Sequence, residues 1–193
     1  MSIFVVFEGI DGSGKSTISE AIKSEFHDIY LTREPTDSTV GTLAQKIAKE
    51  NTDPYKDLFL YLADRVEHTK KIKEKLKKEN LVICDRYWGS TAAYQAATDK
   101  ISLEYAESIQ EPFILKPDLT ILFDIKPKES LRRINPRGEK SKYENIDFLK
   151  KVRENYLLLA EKHDWEVIDA EKGFEDVLSK VKILIKNEKG DIE

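Results

Sequence analysis

The sequence predicts an α/β fold built on a parallel sheet with helices on both faces. Five short apolar runs, at about 3 to 8, 29 to 33, 81 to 85, 119 to 124 and 166 to 169, are rich in β-branched and aromatic residues. Stretches of helical periodicity separate them, as the crossovers of a parallel sheet require. The 193 residues suffice for such a sheet covered on both sides, and no repeat, low-complexity tract or linker divides them. Residues 1–193 are therefore expected to form a single domain.

The first run, Ile3 to Glu8, feeds into Gly9-Ile10-Asp11-Gly12-Ser13-Gly14-Lys15-Ser16-Thr17, and a helical pattern with Ile18, Ala21 and Ile22 follows. Gly9 to Ser16 match G-x-x-x-x-G-K-[ST], the loop that cradles polyphosphates between a strand and a helix. Glycines let the backbone take positive φ and bring its N–H groups around an anion, and the new helix points its positive end at the same place. Lys15 supplies a mobile charge for the β and γ oxygens, and Ser16 a hydroxyl for Mg²⁺.

The second run closes on Arg33-Glu34-Pro35, and residues 39 to 50 read as a helix. A long helix is expected over 54 to 79, opened by Asp53 as its cap with Pro54 at the first position. Leu58, Leu62, Val66, Ile72 and Leu76 form its buried stripe, and the lysines from Lys70 to Lys78 read as a solvated face near its negative end. The third run, Leu81-Val82-Ile83-Cys84, holds the one cysteine. It reads as a small core residue, and an unpaired thiol suits a reducing compartment. Further helices are expected at about 87 to 98, 102 to 110, 127 to 135, 145 to 163 and 173 to 187. Between the helical patterns at 127 to 135 and 145 to 163, Arg132-Arg133-Ile134-Asn135-Pro136-Arg137-Gly138-Glu139-Lys140-Ser141-Lys142 reads as a basic lid, about 133 to 145, that closes over a transferring group and excludes water.

Charged residues make up 35% of the chain and the net charge is −4, so no global attraction to nucleic acid or anionic membrane is expected and any phosphate site must be a local pocket. No apolar stretch approaches the ~20 residues of a membrane span, and the start lacks the basic flank of a signal peptide. The expected location is cytoplasmic.

In an open parallel sheet the ligand lies outside the carboxyl ends of the strands. That edge gathers Lys15, Arg33, Arg86 and the carboxylates Asp11 and Asp85. Asp85, closing a strand, suits a metal-bound water shell near Ser16; its other reading is a helix cap. Arg33 and Arg86 exceed what one triphosphate needs, which points to a second phosphate. An acceptor that is already a phosphate monoester is anionic at neutral pH, so alignment and charge neutralisation suffice without a general base.

The motifs Phe7 to Thr17, Arg33-Glu34-Pro35-Thr36, Leu58 to Arg65 with His68, and Asp85-Arg86-Tyr87 with Ser90, Tyr94 and Gln95 resemble thymidylate kinases, in the same order and over almost the whole chain. The resemblance implies a nucleoside-monophosphate-kinase-like P-loop fold with a five-stranded parallel sheet and a short lid, the reaction ATP + dTMP → ADP + dTDP with Mg²⁺, and a homodimer. By position, Gly9 to Thr17 would hold ATP with Arg133 stacking on adenine. Asp11 would accept from the sugar 3′-hydroxyl, and Arg33 and Arg86 would hold the dTMP phosphate. Tyr61 falls where the family stacks a phenylalanine on thymine, and Arg65 where it reads the base. Tyr94 would pack under the sugar, with Ser90, Thr91 and Gln95 lining the same pocket. Lys15, Arg86 and Arg137 would act on the transferring group, and Ser16 and Asp85 on the metal. Two features depart from the family pattern: Tyr61 itself, and a short lysine-rich lid in which Arg137, Lys140 or Lys142 could serve. The competing classes are a deoxynucleoside kinase using Glu34 or Asp85 as base, a related kinase with another acceptor, and a nucleotide-dependent switch, for which the guanine-reading Asn-Lys-x-Asp stretch is missing.

Overall fold

The computed structural model describes residues 2–48, 50, 53–134 and 145–190. The five apolar runs form five strands with the expected bounds: β1 (Ile3–Glu8), β2 (Ile29–Arg33), β3 (Leu81–Asp85), β4 (Leu119–Asp124) and β5 (Glu166–Asp169). They make one parallel sheet in the order β2-β3-β1-β4-β5. The central strands are continuous apolar runs because both of their faces are covered; Val5, Phe7, Leu81, Val82, Ile83 and Cys84 have no exposed surface. Each such Val, Leu, Ile or Phe contributes roughly 1.5–3 kcal/mol of transfer free energy, so a charge placed at Val5 would break the sheet.

The helices are α1 (Lys15–Lys23), α2 (Thr39–Ile47), α3 (Pro54–Lys75), α4 (Trp88–Ala96), α5 (Leu103–Ser108), α6 (Pro127–Ile134), α7 (Ile146–Lys162) and α8 (Phe174–Lys189). Right-handed crossovers decide their layers. The step from β1 to β2 runs opposite to every later step, so α1 lies on one face, where α8 joins it, and α3, α4 and α7 cover the other. The chain therefore leaves the neighbours β1 and β3 toward opposite faces, and a crevice opens between them at the carboxyl edge.

Four local differences from the expected elements stand out. Helix α3 begins as expected, with the Asp53 carboxylate accepting from Tyr55 N, but ends at Lys75 rather than 79, where Leu76 caps it and the chain turns back to β3. Its buried face carries Asp57, Asp64, Arg65, His68 and Thr69 beside Leu58, Leu62 and Ile72, while Val66 and Leu76 are only half-buried. The apolar stripe is thus interrupted by polar residues, because this face looks onto the crevice. The 39-to-50 helix likewise stops at Ile47, and a 3₁₀ turn, Glu111–Phe113, stands where no element was expected.

Candidate functional site

The glycine loop is shaped by its close approaches. At Gly12 (φ 76°) an added Cβ would sit 2.8 Å from the Ser130 carbonyl oxygen, and Gly14 (φ 94°) leads the backbone into α1. Lys15 folds back over the loop, its Nζ donating to Gly9 O (2.9 Å), Ile10 O (3.1 Å) and Ser13 Oγ (3.2 Å). Burial, aided by the Arg86 charge, pushes its amine down to about 8. Ser16 Oγ donates to Asp85 Oδ2 at 2.6 Å, while Asp85 Oδ1 is buried without a hydrogen-bond partner. A carboxylate oxygen left so is a place for a cation or its water to fill.

Arg86 follows β3 in a left-handed conformation (φ 68°), unusual for a bulky side chain, held by its N–H to Phe7 O and by the Cys84 thiol donating to its carbonyl. The turn throws the guanidinium across the crevice. Nη2 donates to Asp11 Oδ1 at 2.6 Å and Nη1 to Ser90 Oγ at 3.1 Å, with the Tyr94 ring 5.3 Å away. The Arg86 charge holds the Asp11 carboxyl below the usual range. Behind them Glu8 accepts from Tyr87 N and Ser90 N, both at 3.0 Å, and from the hydroxyls of Ser90 and Tyr156. Its burial raises its pKa.

A cavity of about 330 Å³ opens beside Arg86, lined by Asp11, Tyr61, Arg65, Ser90, Thr91 and Tyr94, with Glu34, Pro35, Gln45, Ala48, Asp64 and Tyr87 completing the wall. It is large enough for a nucleoside. At its floor Arg65 is buried, donating to Glu34 Oε2 from Nε (3.0 Å) and Nη2 and to Thr91 Oγ1 from Nη2 (3.0 Å). Glu34 also binds His68 Nδ1 at 2.9 Å, and His68 Nε2 pairs with Thr32 Oγ1 at 2.7 Å. On α3, Asp64 accepts from Thr36 N and from the hydroxyls of Thr36 and Ser38, fixing the turn after β2. A second cleft runs along the glycine loop from Asp11 to Ile18 and ends at Arg133, Ala170, Lys172, Phe174 and Val177. Asp11 and Arg86 line both.

Asp11 and Arg86 thus form the wall that the two cavities share. The thymidylate kinase family model matches residues 7–181. The chain belongs to the thymidylate kinase family. It is 41% identical over 186 residues to a probable thymidylate kinase of Pyrobaculum aerophilum, covering 95% of this chain and 96% of that one. Against the probable thymidylate kinases of Methanosarcina mazei and Methanocaldococcus jannaschii the identities are 42% over 189 residues and 40% over 189, with at least 92% of each chain covered.

The residues singled out from the thymidylate kinase resemblance fall into three groups. Asp11, Tyr61, Arg65, Arg86, Ser90, Thr91 and Tyr94 share the cavity, and Asp11 to Thr17 share the loop cleft with Arg133, whose Nη1 reaches Gly12 O at 3.4 Å. Arg33 and Gln95 stand apart. Arg33 is largely exposed, paired with Asp37 at 3.2 Å, and lines a third, polar cleft with Ser16 and Asp85. Gln95 does not line the cavity; it is fully buried, with neither amide atom hydrogen-bonded. Arg137, Lys140, Lys142 and most of the 133-to-145 segment lie outside the described residues.

Several residues that shape this site had no sequence signal of their own. Glu8 and Tyr156 meet across 148 positions, and Ser130 Oγ holds the loop through Asp11 O at 2.7 Å across 119. Gln45, whose amide donates to Pro35 O and Thr36 O, and Gln110 on Arg65 are polar residues in otherwise unremarked stretches. Glu34, by contrast, is marked by its place after β2, a signal that Gln45, Ser130 and Tyr156 inside helices and Gln110 after α5 do not carry.

Proposed function

We propose that this protein transfers the γ-phosphoryl group of ATP to dTMP, giving ADP and dTDP. The observation that carries the reading is the sharing of Asp11 and Arg86 by the loop cleft and the nucleoside-sized cavity; a donor phosphate in the one and an acceptor phosphate in the other would lie side by side. The acceptor oxygen is already anionic, so the protein has only to align it and neutralise charge. Gly9, Ile10, Gly12, Ser13, Gly14 and Thr17 supply the cradle for the ATP phosphates and Arg133 a face for adenine. Lys15 exchanges the loop carbonyls for β and γ oxygens, and Arg86 exchanges Asp11 for the acceptor phosphate, freeing Asp11 for the 3′-hydroxyl. Arg33 joins that phosphate by leaving Asp37.

Tyr61 provides a stacking plate and Arg65 a donor for the base edge; Tyr94 limits room at the sugar and Ser90 fixes Arg86. Thr91 sits beside Arg65 in the cavity wall, whereas Gln95, expected to line the same pocket, is buried behind it and takes no part in the reading. A bound Mg²⁺ would neutralise charge on the transferring oxygens, with Ser16 and the open oxygen of Asp85 to hold it or its waters. Arg137 is assigned the lid's contact to the phosphoryl group within a single domain, by family position. A hydroxyl acceptor would need a carboxylate base; both oxygens of Glu34 are committed to Arg65 and His68, and Asp85 is paired with Ser16 of the glycine loop and lines the loop cleft rather than the nucleoside-sized cavity.

No helix among the described residues is long and apolar enough to cross a membrane. Together with a buried free thiol this supports a cytoplasmic enzyme. The aromatic side chains that α3, α5 and the 3₁₀ turn leave exposed, Tyr55, Phe59, Tyr105 and Phe113, support a homodimer formed along these helices. The test is ADP release by the purified protein with Mg²⁺-ATP and, separately, dTMP, dUMP, thymidine, other monophosphates and no acceptor. Selective turnover of dTMP is expected. Turnover of thymidine with dTMP inert would overturn the reading.

A further inference from the structure

Gln110 lies at the end of α5 with no exposed surface. Its amide nitrogen donates to Trp88 O at 3.3 Å and to Ala106 O, using both of its hydrogens on backbone carbonyls. Turning the amide over would set its oxygen against two oxygens, so its orientation is fixed. The oxygen of that amide then has one direction left, and there it accepts from Nη1 of Arg65.

The consequence lies in the donor ledger of Arg65. A guanidinium carries five N–H groups in a rigid fork. Nε–H goes to Glu34, the two on Nη2 go to Glu34 and Thr91, and one on Nη1 goes to Gln110. The Tyr87 ring, 5.2 Å from the guanidinium carbon, backs the plane of the group. Among the described residues one N–H on Nη1 has no partner, and Arg65 lines the nucleoside-sized cavity. Glu34 alone would anchor one side of the fork; Gln110 anchors the other, and so decides which single hydrogen the cavity receives.

We propose that Gln110 is a positioning residue that sets base selectivity through Arg65, reserving one fixed donor for a pyrimidine that presents a carbonyl oxygen and against one that presents an amino group. The proposal rests on the nucleotide acceptor reading above. A carbonyl completes the fork; an exocyclic amine meets it donor to donor and leaves a buried donor unmade, which is the strong form of discrimination.

The test uses the full-length enzyme, with steady-state turnover on dTMP and dCMP at saturating Mg²⁺-ATP, and KM for ATP measured in parallel. Gln110→Leu should raise KM for dTMP about tenfold and shrink the dTMP-to-dCMP ratio of kcat/KM about tenfold, with kcat for dTMP and KM for ATP within about twofold. Gln110→Glu keeps an oxygen toward Arg65 but as a carboxylate gives up the donations to Trp88 O and Ala106 O, so it should restore part of the ratio. Should Gln110→Leu fail to fold, Gln110→Met, of the same length and lacking only the polar atoms, is expected to give the same shift. A folded variant with unchanged dTMP KM and ratio overturns the proposal, as does a parallel rise in KM for ATP, which would mark general structural damage. Wild-type enzyme inert toward dTMP would overturn this proposal and the acceptor reading together; active wild type with indifferent variants overturns this one alone.

Discussion

Two corners of the crevice bury charge in opposite ways. At the glycine loop, Lys15 is spent on backbone carbonyls, Arg86 on an Asp11 whose side chain is 59% exposed, and one oxygen of Asp85 on nothing. At the floor of the cavity, Arg65 (1% exposed), Glu34 (6%) and His68 (2%) hold one another through partners that are themselves buried. The first set has provisional partners that a ligand can replace. The second is complete except for one donor. If the proposed roles hold, groups that change partners during the reaction are kept poorly satisfied, while groups that only recognise are locked.

The sharpest way to break that comparison is to remove a charge from each corner and read both activity and stability. Lys15→Met keeps the aliphatic stem and deletes the amine. Turnover should fall about a thousandfold, the loss expected when a preorganised charge at the transferring group is removed. Thermal stability should stay level or rise. An amine depressed from 10.5 to about 8 on folding costs the fold about 3 kcal/mol. That penalty is in full force below pH 8 and fades as pH rises from there toward 10.5, so at neutral pH its removal offsets the lost carbonyl contacts. A clear drop in the midpoint of thermal unfolding would mean that Lys15 is structural after all.

Glu34→Ala is the counterpart and should behave the other way round. It leaves a buried guanidinium without its carboxylate and strips His68 of its partner, at a cost of about 3–5 kcal/mol in urea unfolding. Any variant that survives should bind dTMP poorly while ATP affinity holds. Stability unchanged by Glu34→Ala would erase the distinction between the two corners.

The difference also explains what was legible in the chain. All five strands and the loop could be read because their signals are local: a β-branched run, a glycine spacing, an Asp-Pro opening at Asp53. The corner at the loop could be read with them, since the glycine spacing marks Lys15 and Ser16 and the end of β3 marks Asp85. The recognition half is different. Arg65 and Glu34 are 31 residues apart, Arg65 and Gln110 45, and nothing in the spacing of α3 says that its buried face will be polar at Asp64, Arg65 and His68. The apolar stripe holds at Leu58, Leu62 and Ile72, with Val66 and Leu76 half-buried; what it misses is the polar share of the buried face, which borders the nucleoside-sized cavity at Tyr61, Asp64 and Arg65. Family resemblance supplied Arg65 and Tyr61; it supplied nothing for Gln45, Gln110 or Glu8, which act on other residues.

The mildest test leaves the sequence intact and varies pH. With no polyphosphate bound, Lys15 loses its proton near pH 8, because burial and the neighbouring Arg86 disfavour its charge. A triphosphate in the loop supplies the opposite charge and raises that value, so above pH 8 binding must bring a proton with it. ATP affinity should therefore be level from pH 6.5 to 7.5 and about tenfold weaker at pH 9, as expected for one group titrating near 8. Calorimetry at pH 9 in buffers of different ionisation enthalpy should show uptake approaching one proton, and Lys15→Met should abolish both the slope and the uptake. The cavity side offers a control, since Lys15 lines the loop cleft and not the cavity, and the affinity for dTMP without ATP should hardly move between pH 7 and 9. Equal pH slopes for the two nucleotides would mean that the two corners titrate together, and that the provisional pairing of Lys15 is not what separates them.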